Sequence, residues 1–558
     1  WRRGTAHTPI GTEASGGDAH RHRVRADPTP AEAVAGLDVR ADAARSTLVD
    51  VFPERAVYLG AFFGEDSAAD GPGSALPEPY RRCEPTPERI HLPASRFMFV
   101  RAEPYTANGT DNARPSPDHV CGSRPRIQNS SGGCFQAARG GHQPRATPGL
   151  RGRRAAVNLW LRFDRGSWRV GVTDVPVAGV GMTPFGRHAE RTGRDLFAEA
   201  ATRAFDDAGV DREAVEEVFF GNFMGEFAET QGHQGPLAAE MAGVDAPATR
   251  LESACASSGA AIRYGVERIR GGADVVLVGG AERMNNLSTA DTTEALAAAA
   301  DALWESRAGM TFPGAYALMA NRYFELFGGD REDLAHISVK NHANALENDL
   351  AQYQRALTVE DVLGATEISS PFGLYDCSPI SDGASAAVLI SESYAETHGL
   401  DTPVRITGTG QGSDRFALQD RESMVSTPAA ERAGERAFAQ ADIGPNDVDV
   451  AEVHDCFTIA EVLALEALGF YEPGTAIGAA RRGETTADGD LPVNLSGGLK
   501  AKGHPVGATG CAQLSELTKL LRGDHVNSDA VSDATVGVTH NAGGTVASCV
   551  VHVLEADG

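Results

Sequence analysis

The chain has 558 residues, of which 42% are hydrophobic and 23% charged, and its formal net charge is −26. This composition is typical of a globular protein with a large buried core and excludes a disordered chain. The surplus of carboxylates argues against nucleic-acid binding, which needs clustered Lys and Arg. Apolar runs such as Val275 to Val278 are too short to cross a bilayer, and no signal sequence is recognisable. We therefore expect a soluble, cytoplasmic protein whose eight cysteines are reduced.

Residues 1–168 differ in character from the rest of the chain. They contain 23 Arg, no Lys, 18 Asp plus Glu and 16 of the 29 Pro. No sustained period of 3.6 or 2 runs through them, and the chain begins at Trp1. We expect a disordered or non-native extension, with a genuine tail or an independent domain as the alternatives.

From Arg169 the chain is strongly acidic. Here 27 Lys plus Arg stand against 58 Asp plus Glu, and only four of the basic residues are Lys. An acidic, Lys-poor surface is the expected adaptation to high intracellular salt, which screens the repulsion between carboxylates. This pattern favours a halophile's cytoplasm, and the alternative is an ordinary acidic enzyme.

Strands and helices alternate along residues 169–558, which predicts an α/β fold with helix-covered sheets. Strands are predicted at 175–180, 215–220, 273–278, 386–390, 404–407 and 448–453, and a final strand pair begins at 535–539. Helices are predicted at 192–208, 331–346, 432–441, 459–468 and 508–521, with another directly after Cys255. Residues 293–369 interrupt this alternation of strands and helices with irregular and helical sequence. We therefore expect two similar halves, with an insertion in the first.

Cys255 lies among small residues, Ser253-Ala254-Cys255-Ala256-Ser257-Ser258-Gly259, directly before a predicted helix. The N-terminal end of a helix lowers the pKa of a nearby thiol, and small neighbours let a bulky thioester approach. A cysteine in such surroundings is also commonly a packed core thiol. The motif therefore indicates a nucleophile only in combination with others.

Two further segments carry imidazole groups in glycine-rich or strand-end positions. His504 lies in Gly497-Gly498-Leu499-Lys500-Ala501-Lys502-Gly503-His504-Pro505-Val506-Gly507, where glycines permit close approach to a ligand. His454-Asp455-Cys456-Phe457 follows a predicted strand, where α/β proteins place site residues. No second Cys/His pair stands at ligand spacing, so no metal site is expected.

His540-Asn541-Ala542-Gly543-Gly544 follows the predicted strand at 535–539. We interpret it as a glycine-rich turn whose backbone N–H groups form an anion pocket, or as a plain tight turn.

These four segments together resemble the thiolase family, and the likeness covers residues 169–558. The HDCF segment and the HN-containing last motif look like the sterol-carrier-protein-2-type and archaeal thiolases rather than the bacterial biosynthetic type. The resemblance implies the α/β thiolase fold, with two βαβαβαββ halves in a five-layered α-β-α-β-α arrangement. The halves are expected at 169–402 and 403–558, with an inserted loop domain at 293–369.

Carried over to this sequence, the resemblance implies that Cys255 is the acylated nucleophile and that His504 activates it and lines the first oxyanion hole. His454 stands at the position of the family's Asn and would hold the water of that hole. Cys456 is expected to supply the acid/base thiol, because the position of the family's second catalytic Cys holds His540-Asn541-Ala542.

The second oxyanion hole would use the backbone N–H of Cys255 and that of either Ala542 or Gly543. The resemblance also implies coenzyme A as a substrate rather than a bound cofactor. Because the chain is acidic, Lys500 and Lys502 are candidates for offsetting the phosphate charge of coenzyme A, with ordinary solvated charges as the alternative.

The sequence thus favours reversible acetyl transfer between acetyl-CoA and an acyl-CoA, with acyl chain length and direction left open. The alternative is a non-catalytic acyl-CoA-binding or scaffold subunit. Retention of Cys255, His504 and Cys456 favours catalysis, since a scaffold needs none of them. The resemblance implies a homodimer or homotetramer, with an OB-fold protein and hydroxymethylglutaryl-CoA synthase as further partners, and no nucleic acid or membrane.

The acidic surface predicts that stability depends on salt. The Debye length grows from about 3 Å at 1 M to about 30 Å at 0.01 M salt, so repulsion between carboxylates is largely unscreened in dilute buffer. Thermal unfolding should have a higher midpoint in molar KCl than in dilute buffer. Equal midpoints would remove the halophile interpretation.

Overall fold

The computed structural model describes residues 173–557. The extension expected at 1–168 lies outside the described residues. In the described part, no helix has both the length and the apolar character needed to cross a membrane.

Eleven strands and thirteen α-helices are described in residues 173–557. The strands are β1 Val175–Met182, β2 Glu217–Gly221, β3 Ala248–Leu251, β4 Val275–Glu282, β5 Glu367–Ser369, β6 Phe372–Gly373, β7 Gly383–Ile390, β8 Val404–Ser413, β9 Val450–Val453, β10 Val536–Gly543 and β11 Ser548–Ala556. The helices of the first half and its insertion are α1 Gly193–Ala208, α2 Gly225–Ala228, α3 Gln234–Ala242, α4 Ser257–Arg270, α5 Thr289–Leu296, α6 Phe312–Phe327, α7 Arg331–Asn344, α8 Val359–Leu363 and α9 Glu392–His398. The remaining helices are α10 Pro428–Ala441, α11 Thr458–Ala467, α12 Ala476–Arg482 and α13 Thr509–Arg522.

Nine strands form a mixed sheet in the order β3-β2-β4-β7-β1-β8-β11-β10-β9. The pairs β2–β3, β2–β4 and β9–β10 are parallel, and the remaining pairs of this sheet are antiparallel. The two halves of the sheet join only where Val175 lies opposite Ile406 and Pro176 opposite Arg405. So short a junction leaves each half free to follow its own twist.

Three hydrophobic clusters define the layers. One packs α1 and α3 against β1, β2, β4 and β7. A second surrounds α4 and α13, which contact strands of both halves of the sheet. A third packs α10 and α11 against β9, β10 and β11. The layers therefore alternate helix, sheet, helix, sheet, helix, and the expected five-layered arrangement is confirmed.

Local signals account for the helix boundaries. Thr192 caps α1 through the backbone N–H of Asp195, and Gly209 ends the helix at a φ of 62°. Thr311 accepts from the N–H of Gly314 at the start of α6, where Pro313 lies in the first turn. The donors exposed at a helix start are thus satisfied by short side chains, as capping preferences predict.

The insertion lies between β4 and β7 and carries α5 to α8 and the β5–β6 hairpin. Its helix α6 is almost fully buried along one face, through Tyr316, Met319, Ala320 and Tyr323. That face packs into the same cluster as α11 of the second half. The insertion is therefore part of the core and forms one wall of the cavity described next.

Candidate active site

Cys255 lies between β3 and the start of α4, on a strained turn. Ala254 has a φ of 50°, in the left-handed region that is costly for a residue with a side chain. The Ser257 hydroxyl donates to the Ala254 carbonyl at 2.6 Å and accepts from the N–H of Ser253 at 3.0 Å. These bonds hold the turn, and Cys255 lines a cavity at its tip.

The cavity has a volume of about 230 Å³, and its walls are mostly apolar. Both halves of the fold and the insertion contribute to it. Its lining includes Phe223, Cys255, Met284, Leu296, Phe312, Tyr316, Ile368, Cys377, Cys456, Phe457, His504, Val506 and Gly544. A pocket with apolar walls and a few convergent polar groups is the usual form of a small-molecule site.

His504 enters the cavity from the loop before α13, and its hydrogen bonds fix its tautomer. The Thr509 hydroxyl donates to the Pro505 carbonyl at 2.9 Å and lies 2.6 Å from Nδ1 of His504. Because that hydroxyl has one proton, it accepts from Nδ1–H. The neutral ring therefore carries its proton on Nδ1, which leaves the Nε2 lone pair free to take a proton.

A buried carboxylate holds the same loop in place. Glu282, at the end of β4, accepts from the N–H groups of Phe223 at 2.9 Å, Met224 at 3.0 Å and Gly507 at 3.0 Å. Burial raises its pKa to about 7, against these bonds. Glu282 therefore ties the segment after β2 to the segment that follows His504.

His454 faces Cys255 and His504 with the opposite tautomer. Asn541 donates its side-chain N–H to the Cys255 carbonyl at 3.0 Å, and the same nitrogen lies 3.4 Å from Nδ1 of His454. Nδ1 of His454 is thus the acceptor, so its proton is on Nε2. Among the described residues, Nε2 has no hydrogen-bond partner. It is therefore a free donor at the site.

The three side chains converge on one point. The Cys255 sulfur and ring nitrogens of His454 and His504 lie within 4.8 Å of one another. The two rings are nearly perpendicular, with centroids 5.0 Å apart. One imidazole that accepts and one that donates therefore flank the thiol, which is the arrangement that proton removal and oxyanion stabilisation require.

Cys255 and Cys456, two of the three cysteines that line the cavity, are held in the thiol form at neutral pH. Burial raises the pKa of Cys255 to about 12, although the N–H groups of Gly544 and of Cys255 itself lower it. Burial also raises the pKa of Cys456 well above its ordinary value, and the Cys255 charge adds to this. The prediction that the helix N-terminus lowers the pKa of Cys255 is wrong, because the loss of solvation outweighs it.

The oxyanion hole predicted from the N–H of Cys255 and that of Ala542 or Gly543 stays a prediction. The backbone N–H of Gly544 lowers the pKa of Cys255. Ala542 and Gly543 instead belong to β10, where they pair with Cys549 and Ser548. The predicted turn was placed too early, since the strand continues to Gly543 and turns at Gly544 with a φ of 61°.

Lys500 and Lys502 point into the protein and are each 1% exposed. Nζ of Lys500 donates to the Cys377 carbonyl at 2.6 Å. Nζ of Lys502 lies 3.9 Å from Glu452 and 3.8 Å from Glu516. The prediction that these lysines meet the phosphates of coenzyme A is therefore wrong, because both ammonium groups serve buried carbonyl and carboxylate oxygens.

Sequence reasoning missed two groups that the site uses, Thr509 and Tyr316. Thr509 lies five residues after His504, at the first turn of α13, a spacing that places a hydroxyl beside the ring. Tyr316 comes from the insertion, whose sequence shows no strong hydrophobic periodicity. His540, a residue of β10, accepts from the N–H of His454 at 3.4 Å and is not among the cavity-lining residues.

Known proteins resemble the chain over most of residues 173–557. Residues 175–363 match the family described as "Thiolase, N-terminal domain", and residues 410–556 match "Thiolase C-terminal domain-like". The acetyl-CoA acetyltransferase of Methanothermobacter thermautotrophicus is 43% identical over 384 residues, which are 68% of this chain and 99% of that protein. Sterol carrier protein 2 of Gallus gallus is 33% identical over 396 residues, 68% of this chain and 71% of that protein.

Solved structures agree with these sequence matches. The Ltp2–ChsH2(DUF35) aldolase matches with a TM-score of 0.60 and 26% identity, over 69% of this chain and 98% of that chain. The Acat5 thiolase from Ascaris suum in complex with coenzyme A matches with a TM-score of 0.52 and 17% identity, over 69% of this chain and 100% of that chain. At this identity the match shows a similar fold alone. The matched domains and the 43% identity across nearly all of a relative show that this chain belongs to the thiolase family.

Proposed function

We propose that this chain is an acyltransferase that moves an acetyl group reversibly between acetyl-CoA and an acyl-CoA through an acyl enzyme at Cys255. The observation that carries the proposal is the approach of the Cys255 sulfur and the nitrogens of His454 and His504 within 4.8 Å, in a cavity that Cys456 also lines. The acetyl-CoA acetyltransferases that are 43% and 41% identical support it.

In the first half-reaction, Nε2 of His504 takes the Cys255 proton as the sulfur attacks the carbonyl of acetyl-CoA. Nε2–H of His454 has no partner among the described residues and lies in the same cluster as Cys255, so we assign it as a direct donor of the first oxyanion hole rather than a holder of water. Cys456 gives its proton to the departing coenzyme A thiolate. The acyl enzyme and a Cys456 thiolate result.

In the second half-reaction, the Cys456 thiolate removes a proton from the methyl group of the next acetyl-CoA. The resulting carbanion attacks the Cys255 thioester, whose oxygen the N–H groups of Cys255 and Gly544 can stabilise. The new carbon–carbon bond forms, Cys255 leaves as a thiolate, and His504 returns its proton. Thiolysis of a 3-ketoacyl-CoA follows the same steps in reverse.

A non-catalytic scaffold subunit is the competing proposal. The Ltp2–ChsH2(DUF35) aldolase is a thiolase-like chain with a partner, so assembly with another protein remains part of our proposal, as does a homodimer or homotetramer. A partly buried thiol and two buried imidazoles with complementary proton positions favour catalysis, because a scaffold has no need for a costly buried donor without a partner.

Two substitutions separate the half-reactions. Cys255→Ala should abolish acylation by acetyl-CoA and all condensation, whereas Cys456→Ala should still accumulate acyl enzyme at Cys255. Condensation and exchange of the acetyl-CoA methyl protons with solvent should fall about 10²- to 10⁴-fold in Cys456→Ala, the usual contribution of a general acid or base. Peptide mass spectrometry locates the acyl group, and NMR in heavy water follows the exchange.

An acyl group on another cysteine would overturn the assignment of Cys255. Near-normal exchange in Cys456→Ala would show that the base lies elsewhere, with His540 as the next candidate. If the unmodified full chain showed neither acylation by acetyl-CoA nor condensation, the scaffold proposal would be favoured.

Thr509 should control the tautomer of His504. Thr509→Val keeps the shape of the side chain but removes the acceptor for Nδ1–H, so the proton is no longer held away from Nε2. We expect the rate of Cys255 acylation to fall roughly 10-fold or more, because general-base catalysis contributes 10²- to 10⁴-fold when intact. Rapid-quench acylation with acetyl-CoA measures it.

Thr518→Val is the matched control for this experiment. Thr518 lies on the same helix, is fully buried, and its hydroxyl has no hydrogen-bond partner among the described residues. The control should acylate at the rate of the unmodified protein. Equal acylation rates in Thr509→Val and Thr518→Val would refute the role of Thr509.

A further inference from the structure

Tyr316 places a buried hydroxyl in the wall of the cavity that Cys255 and Cys456 also line. It lies on α6 of the insertion and is fully buried, and its hydroxyl donates to the Gly544 carbonyl at 2.9 Å. Cys456 lines the same cavity as Tyr316, and the phenol hydroxyl lowers the pKa of the Cys456 thiol. The backbone N–H of Gly544 lowers the pKa of Cys255, so Gly544 acts on Cys255 through its N–H and on Tyr316 through its carbonyl.

The ring of Tyr316 is held so that its oxygen cannot drift from this position. It stacks on Phe457 with centroids 4.7 Å apart and an interplanar angle of 27°. Phe457 in turn stacks on Phe372 of β6 at 5.7 Å. Phe457 is the residue after Cys456, so the stack fixes the phenol relative to the thiol itself.

A phenol has one proton and can direct it to only one of two acceptors. While Cys456 is a neutral thiol, Tyr316 donates to the Gly544 carbonyl and its oxygen can accept from the S–H. When Cys456 has given up its proton, the thiolate becomes the stronger acceptor, since hydrogen bonds to ionised groups are roughly twice as strong as neutral ones. Rotation about the C–O bond then directs the O–H to sulfur without moving the ring.

We propose, on the basis of the proposed role of Cys456, that Tyr316 is a positioning residue whose hydroxyl turns from the Gly544 carbonyl to the Cys456 sulfur and stabilises the thiolate between the half-reactions. No proton is transferred to or from Tyr316 in this step. The only change is the direction of its O–H bond, while the Cys456 proton goes to the departing coenzyme A thiolate.

Few other charges compete with this hydrogen bond. The titratable or charged groups around the pair are Cys255, Asp455, Arg421 and Lys500. The charges of Cys255 and Asp455 oppose a thiolate at Cys456, and Lys500 and Arg421 are tied to the Cys377 carbonyl and the Thr545 hydroxyl. The Tyr316 hydroxyl and the backbone N–H of Phe457 are thus the neutral donors that lower the pKa of Cys456.

The test is Tyr316→Phe, which keeps the ring and its stacking on Phe457 and removes only the hydroxyl. Methyl-proton exchange of acetyl-CoA in heavy water is followed from pH 6 to 10.5, because it requires the Cys456 thiolate. Losing a donor to the thiolate raises the pKa of Cys456. The part of the pH profile in which the exchange rate rises, its rising limb, should therefore move to higher pH. Below that limb the exchange rate should fall roughly 10- to 100-fold.

Tyr323→Phe is the matched control. Tyr323 lies on the same helix and is equally buried, but its hydroxyl donates to Glu466 at 2.5 Å and does not line the cavity. Its removal should leave the pH profile of exchange unchanged. A general loss of packing would instead lower the rate at every pH without moving the limb.

A second variant tests the opposite direction and remains informative if Tyr316→Phe folds poorly. Placing 3-fluorotyrosine at position 316 makes the phenol a stronger donor, so the limb should move to lower pH. An unmoved limb in either folded variant would overturn the role of Tyr316. If Cys456→Ala loses exchange while Tyr316→Phe keeps the normal profile, only this inference is wrong, whereas normal exchange in Cys456→Ala removes the proposed function as well.

Discussion

The burial of Cys255 and His504 in the protein governs how both groups ionise. Burial raises the pKa of Cys255 to about 12 and lowers that of His504 to about 3, so neither group ionises alone at neutral pH. A thiolate and an imidazolium can form only together, as a pair, when a proton passes directly between neighbours. The hydrogen bonds of Thr509 and Asn541 therefore matter because they decide which ring nitrogen can accept that proton and which can donate one.

A second buried group explains why the loop before His504 is rich in glycine. Asp455 accepts from the backbone N–H groups of Leu499 at 2.6 Å and Lys500 at 3.3 Å, and from the side chain of Asn341 at 2.6 Å. Burial raises its pKa to about 7, with the nearby charge of Glu461 adding to the effect. A Cβ on Gly498, whose φ is 57°, would lie 2.4 Å from this carboxylate. The motif containing Cys456 and the loop carrying His504 are thus joined by one carboxylate that only glycine can approach so closely.

The sequence predicted the fold well where the hydrophobic periodicity agrees with the residues that begin and end an element. Helix α1 begins after Thr192 and ends at Gly209 as predicted, and the helix after Cys255 runs from Ser257 to Arg270. The proton positions of His454 and His504 could not be predicted from the sequence, because they depend on partners distant in the chain or on a loop geometry that no local pattern encodes. The same holds for Lys500 and Lys502, whose hydrophilic character suggested solvent, whereas buried carbonyl and carboxylate partners hold them inside.

The meeting of the two halves depends on a contact between two glycines. Gly259 lies in the first turn of α4 and Gly510 in the first turn of α13, and a Cβ on Gly510 would lie 2.4 Å from the Gly259 nitrogen. The oxygen of Asn541 fills the space beside both, 2.6 Å and 2.3 Å from the positions their Cβ atoms would take. Cys255 precedes one helix and His504 precedes the other, so only helices that cross this closely can bring the sulfur and the imidazole together. A residue with a side chain at either glycine would separate the helix starts and move the Cys255 thiol away from the His504 imidazole, while each half kept its own core.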